Sequence, residues 1–85
     1  MLYIGNLKMN IPSTEYVEDL IKIDKCGNNI AVALPFPYIT KFGKDLSNAG
    51  FAVGAQNVSG TNVKESTGEI SAEMLVDIGA NFTII

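Results

Sequence analysis

Four short apolar runs alternate with three segments of helical character along these 85 residues, and that alternation restricts the architecture more than any single residue does. Leu2 to Leu7 and Asn29 to Leu34 are strand-like, the second continuous in Ile, Val, Ala and Leu, as expected of a strand covered on both faces. Phe51 to Val58 is a third strand, and Phe82 to Ile85 opens a fourth. After the first, Pro12-Ser13-Thr14-Glu15 has the composition of a helix start. Tyr16, Val17, Leu20, Ile21 and Ile23 then recur at roughly helical spacing until Gly27. Pro37 to Asn48 reads as a second helix carrying Ile39, Phe42 and Leu46, with Gly50 as its stop. A third runs from about Ser71 to Ile78, stopped by Gly79. Strand and helix in strict turn predict an α/β fold, a parallel sheet with right-handed crossovers.

Composition narrows the function classes. A chain this short makes one domain at most, with a modest core. Hydrophobic residues nevertheless make up 47% of it, which excludes a disordered or low-complexity segment. The net charge is −3 and all six basic residues are Lys, so no bidentate guanidinium is available for phosphodiesters or guanine edges, and nucleic acid is not an expected partner. Cys26 is the single cysteine, unable to form an internal disulfide, and fits a reduced, cytoplasmic setting. With no His to activate it, a reactive-thiol role has little support. The same lack of imidazole means that acid-base work near neutral pH by these residues alone needs a strongly shifted carboxylate or lysine, and none stands out. No secretory signal or membrane span is visible, and no membrane partner is expected.

One stretch carries chemistry. Gly5-Asn6-Leu7-Lys8-Met9-Asn10 ends an apolar strand with an amide and an ammonium two residues apart, which strand alternation projects to one side. A cation on a buried strand is expensive to desolvate unless the strand tip opens into a cleft that holds an anion. Lys8 is therefore a candidate ligand for phosphate or developing oxyanion charge. The plainer reading is a lysine that marks the strand end and snorkels to water. Ligand sites in parallel α/β folds lie at the C-terminal strand ends, where the long polar loop Ser59–Gly68 also falls.

With these pieces in place, the sequence resembles the triosephosphate isomerase family over its full length. Gly5-Asn6-Leu7-Lys8-Met9-Asn10 is similar to that family's opening signature, and Leu34-Pro35-Phe36-Pro37-Tyr38 to its second strand end. Val53-Gly54-Ala55-Gln56-Asn57-Val58 is similar to its third strand. Thr67-Gly68-Glu69-Ile70-Ser71-Ala72-Glu73-Met74-Leu75 is similar to the end of its third loop and the following helix. Leu7 departs from the usual Trp, a change expected to be absorbed by repacking against the helices. The resemblance implies a (β/α)₈ TIM barrel interconverting dihydroxyacetone phosphate and glyceraldehyde 3-phosphate with no cofactor and no metal. A Glu moves the proton, a neutral His polarises the carbonyl oxygens, and a Lys stabilises enediolate and phosphate charge. By motif position that lysine is Lys8, with Asn6 contacting substrate or steadying the ammonium. The third loop reaches into a twin subunit through Thr67, Met9 packs near the same interface, and Gln56 is a polar organiser near Lys8. Glu69 and Glu73 fall at the start of the third helix, where an acidic side chain suits the dipole, and are expected to be structural.

A barrel of this kind needs about 250 residues, so these residues correspond to roughly the first third, three βα units plus a fourth strand. The family's catalytic His, in a Gly-His-Ser-Glu-Arg-Arg run, and its basic Glu lie beyond them. Phe82, Ile84 and Ile85 form half a core strand with no polar stop. The expected partner is therefore a complementary C-terminal polypeptide that completes the barrel, with a second copy of the completed barrel and a phosphorylated triose as substrate. Two rivals stay open: a small doubly wound binding domain with Lys8 meeting an anionic ligand, and a non-catalytic remnant of the isomerase acting as a scaffold.

Overall fold

The computed structural model describes residues 1–85. Strands β1 (Leu2–Asn6), β2 (Asn29–Leu34), β3 (Ala52–Ala55) and β4 (Phe82–Thr83) alternate with helices α1 (Thr14–Ile21), α2 (Phe36–Asn48) and α3 (Ala72–Asp77). All neighbouring strands pair in parallel, in the sequential order β1-β2-β3-β4. Each crossover places its helix on the same face, so the sheet is singly wound. A doubly wound domain needs a reversal of strand order to bring helices to both faces, and the sequential order removes that rival.

Local chemistry explains the helix limits. Ser13 caps α1 and Ser71 caps α3, their hydroxyls accepting from the N–H of Tyr16 at 3.0 Å and of Met74 at 3.1 Å. Such caps contribute about 1 kcal/mol each. Glu73 sits in the first turn of α3, as the dipole favours, and its only ion pair, with Lys64 at 3.7 Å, joins two exposed groups and contributes little. In α2, Ile39, Phe42, Gly43 and Leu46 are buried, a stripe at i, i+3, i+4 and i+7 laid against the sheet. Lys25 supplies the C-terminal cation that α2 itself lacks. Its Nζ donates to the Ala49 carbonyl at 2.7 Å and lies 4.5 Å from the centre of the Phe51 ring.

Several elements are shorter than the periodicity predicts. α1 ends at Ile21 rather than running toward Gly27, because the chain turns through Cys26 and Gly27, both at positive φ, and Ile23 is left exposed. β3 spans four residues, not the predicted eight. Phe51 is buried in the core but precedes the ladder, its N–H still bonded to the α2 carbonyl of Leu46. At the other end the chain leaves the sheet after Ala55. β4 pairs through only two positions, Gly54↔Phe82 and Ala55↔Thr83. Asn81 reinforces that pairing, donating its backbone N–H to the Val53 carbonyl at 2.7 Å and accepting from the Val53 N–H through Oδ1 at 3.1 Å.

The two faces of the sheet differ. Val32, Leu34, Val53 and Ala55 pack under the helices with Val17, Ile39, Phe42, Leu46 and Leu75 in one core, and Leu7 packs against its margin. The opposite face carries Leu2 and Ile4 from β1, the small residues Ala31, Ala33, Ala52 and Gly54 from the middle, and Phe82 from β4. Leu2 and Ile4 are 59% and 53% exposed. This is the inward face of an unclosed barrel, with β1 and β4 as its free margins. Helices cover one side, small residues let the sheet curve on the other, and the strand count is half of the eight that closure takes. The arrangement matches the N-terminal part of a TIM barrel.

Candidate functional site

The C-terminal ends of β1 and β3 bring Asn6, Lys8 and Gln56 together. β1 stops at Asn6, so strand alternation does not reach Lys8, and the two side chains are not displayed as a same-face strand pair. Instead Lys8 adopts a left-handed backbone with φ 54°. Asn6 Oδ1 accepts from the Lys8 N–H at 2.8 Å, an Asx turn that replaces the next ladder bond. The amide thus holds the lysine's backbone in this structure, beside the two roles the resemblance implies for it, contacting substrate or steadying the ammonium. Below it, the Leu7 N–H still bonds the Ala33 carbonyl at 3.2 Å, and Asn10 closes the turn by donating both its N–H and its Nδ2 to the Leu7 carbonyl.

Gln56 comes from the far side of β2. Its Nε2 donates to the Lys8 carbonyl at 2.8 Å and approaches the Ala33 carbonyl at 3.4 Å, so one carboxamide stitches the ends of β3, β2 and β1. Left-handed backbone in a residue with a Cβ costs about 1–2 kcal/mol. Two hydrogen bonds of about 0.5–1.5 kcal/mol each are of the size that offsets it. The turn is held by side chains flanking it on both sides of one residue, while the lysine stem and head project to solvent, exposed and without an ion-pair partner. A cation presented in this way is available to an anion at the mouth of the sheet.

Thr67 and Met9 are placed elsewhere. Thr67 is exposed in the loop between β3 and α3, whose base is closed by the Ser59 N–H to the Ile70 carbonyl at 2.7 Å. Met9 follows Lys8 on the turn and is 96% exposed. Neither touches the Asn6–Lys8–Gln56 cluster through a side-chain hydrogen bond. A cleft of about 490 Å³ runs along the unpaired edge of β1 past Gly5, Asn6, Asn10, Ser13 and Tyr16. It reaches Asn6 but not Lys8.

Two contributors escaped the sequence reading. The Ala33 carbonyl serves both Leu7 and Gln56, and no side-chain signal announces a backbone acceptor. Asn10 had one, because an amide shortly after a strand end is a common turn-former. No group of His, Cys, Asp and Glu is arranged to hold a metal ion, and no helix is long and apolar enough to cross a membrane.

Comparison with known proteins agrees with this architecture. The family model described as triosephosphate isomerase matches residues 1–85. Among curated relatives, the triosephosphate isomerase of Serratia proteamaculans is 40% identical over 92 residues, covering 99% of this chain and 35% of its own length. Those of Thiobacillus denitrificans and Erwinia tasmaniensis are 37% and 38% identical, with the same coverage of 99% and 35%. The chain thus spans about a third of the length of these relatives. With a match along every residue, a singly wound parallel sheet and a lysine raised at the C-terminal end of its first strand, the chain belongs to the triosephosphate isomerase family.

Proposed function

We propose that these residues form the opening third of an enzyme that interconverts dihydroxyacetone phosphate and glyceraldehyde 3-phosphate, and that they supply its electrostatic lysine. Lys8 binds the substrate's phosphate and stabilises the negative charge that builds on the enediolate. Asn6 sets the turn that carries Lys8. The proton-transferring Glu and the polarising His belong to the remaining β/α units, whether these continue in one polypeptide or come from a complementary C-terminal chain. No cofactor is needed for a proton transfer between adjacent carbons. The observation that carries the reading is the position of Lys8, an unpaired and exposed ammonium on a side-chain-braced turn at the end of a strand where such sheets hold their ligands.

The exposed inward face supports completion by further strands. Leu2 and Ile4 are more than half exposed here, and burying such a side chain fully contributes about 1.5–3 kcal/mol. In the same proposal the loop with Thr67 and the turn with Met9 meet a second completed barrel.

Grafting tests this. The 85 residues replace the matching portion of the Serratia proteamaculans enzyme, and isomerisation is assayed with and without Lys8→Met. Activity that depends on Lys8 is the expected result. A folded graft that isomerises equally well without the lysine charge refutes the assignment, and a folded graft with no activity favours a non-catalytic scaffold.

A further inference from the structure

We infer that Gln56 is a positioning residue for the Lys8 ammonium, acting through the backbone of the turn; the inference rests on the catalytic part proposed for Lys8. The lysine head has no hydrogen bond or ion pair of its own in the chain, so its location is set by the direction in which the Cα–Cβ bond leaves the turn. That direction is a function of the backbone on both sides of Lys8. Asn6 Oδ1 holds the N–H side at 2.8 Å, and Gln56 Nε2 holds the C=O side at 2.8 Å.

The two braces are not equivalent. Asn6 is local, two residues away, and by itself fixes only the peptide that enters Lys8. Gln56 is 48 residues away, just past the end of β3, and its second approach, to the Ala33 carbonyl at 3.4 Å, ties the turn to the sheet. Without it the peptide leaving Lys8 keeps only the closure of the turn by Asn10 onto the Leu7 carbonyl, and its own carbonyl is untethered. A lysine at φ 54° then has every reason to relax toward the right-handed region that residues with a Cβ prefer, which swings the four-carbon stem away from the mouth. Gln56 would thus link the register of the third strand to the aim of a charge carried by the first.

The test uses the chain completed by the remaining β/α units, as in the graft above. Gln56→Met keeps length and shape but removes the donor, and Gln56→Glu does the same with a carboxylate at neutral pH. Each should lower kcat on the order of 10-fold to 100-fold, the scale expected when a reacting group is displaced by about an ångström. The deciding measurement repeats each change in the Lys8→Met background, where kcat should fall no further. If Lys8→Met lowers kcat but Gln56 changes cost the same with or without the lysine charge, Gln56 is merely structural and the inference is overturned alone. If Lys8→Met leaves kcat unchanged, the role proposed for Lys8 falls and this inference falls with it. Should Gln56→Met fail to fold, an undiminished kcat in a folded Gln56→Glu protein overturns the inference equally.

Discussion

Gly54 lies on the inward face of β3 directly opposite Phe82, and a methyl group built on it would come within 2.5 Å of three atoms of the Phe82 ring. Carbon atoms in contact prefer about 3.5–4.0 Å, so Gly54→Ala demands a shift of about 1–1.5 Å. What the methyl group meets is the far end of the Phe82 ring, so in the completed barrel the ring has to turn aside about its own side-chain bonds and its inward-facing neighbours have to give it room. Overpacking of this kind costs about 1–3 kcal/mol. In a completed barrel of about 250 residues, a loss of about 2 kcal/mol lowers Tm by roughly 4–8 °C. Chemical denaturation of the grafted barrel measures the loss, and a double-mutant cycle identifies its source. Phe82→Leu alone should be mildly destabilising, but combined with Gly54→Ala it should recover at least about 1 kcal/mol relative to the sum of the single changes. A neutral Gly54→Ala would refute the argument, and so would strictly additive losses, since the contact would then not be the one that matters.

Three further outcomes follow from the same geometry. Lys8→Met should reduce kcat/KM of the completed enzyme by about 100-fold to 1000-fold, the scale of one well-placed electrostatic group; steady-state kinetics at fixed ionic strength read it, and near-normal turnover would contradict the role. Thr67→Glu, on the exposed loop between β3 and α3, should weaken association of completed barrels and activity together, as followed by sedimentation and assay in parallel; lost activity with unchanged association would count against an interface role. Lys25→Met keeps most of the stem but removes the 2.7 Å bond to the Ala49 carbonyl and the charge over the Phe51 ring. It should destabilise by about 1–2 kcal/mol in chemical denaturation without altering KM, because Lys25 sits at the C-terminal end of α2, away from the strand ends that carry Lys8.

How far each element was legible depended on the range of the interactions that form it. β2 was read to the residue, Asn29–Leu34, because a continuous apolar run closed by Pro35 is a local signal at both ends. The Ser-capped starts of α1 and α3 and the buried stripe of α2 were visible for the same reason. β3 and β4 came out shorter than expected, since a strand lasts only as long as its neighbour offers backbone to pair with, and composition does not report where that neighbour turns away. The site divides in the same manner. Asn6 and Lys8 were marked by their types at a strand end, but their mutual arrangement was misjudged, because the strand was carried one residue too far and alternation was applied past its end.

The amino-acid order alone pointed to the alternation of strand and helix, the parallel sense of the sheet, and the candidate charge at its mouth. All of these rest on periodicity, capping and residue type within a few positions. Only the folded chain decided that Lys8 is left-handed, that Gln56 reaches it from 48 residues away, and that Gly54 makes room for Phe82. Those facts depend on which strands become neighbours and in what register. Register is set by packing the whole sheet against its helices, a balance in which no local stretch of sequence holds a majority.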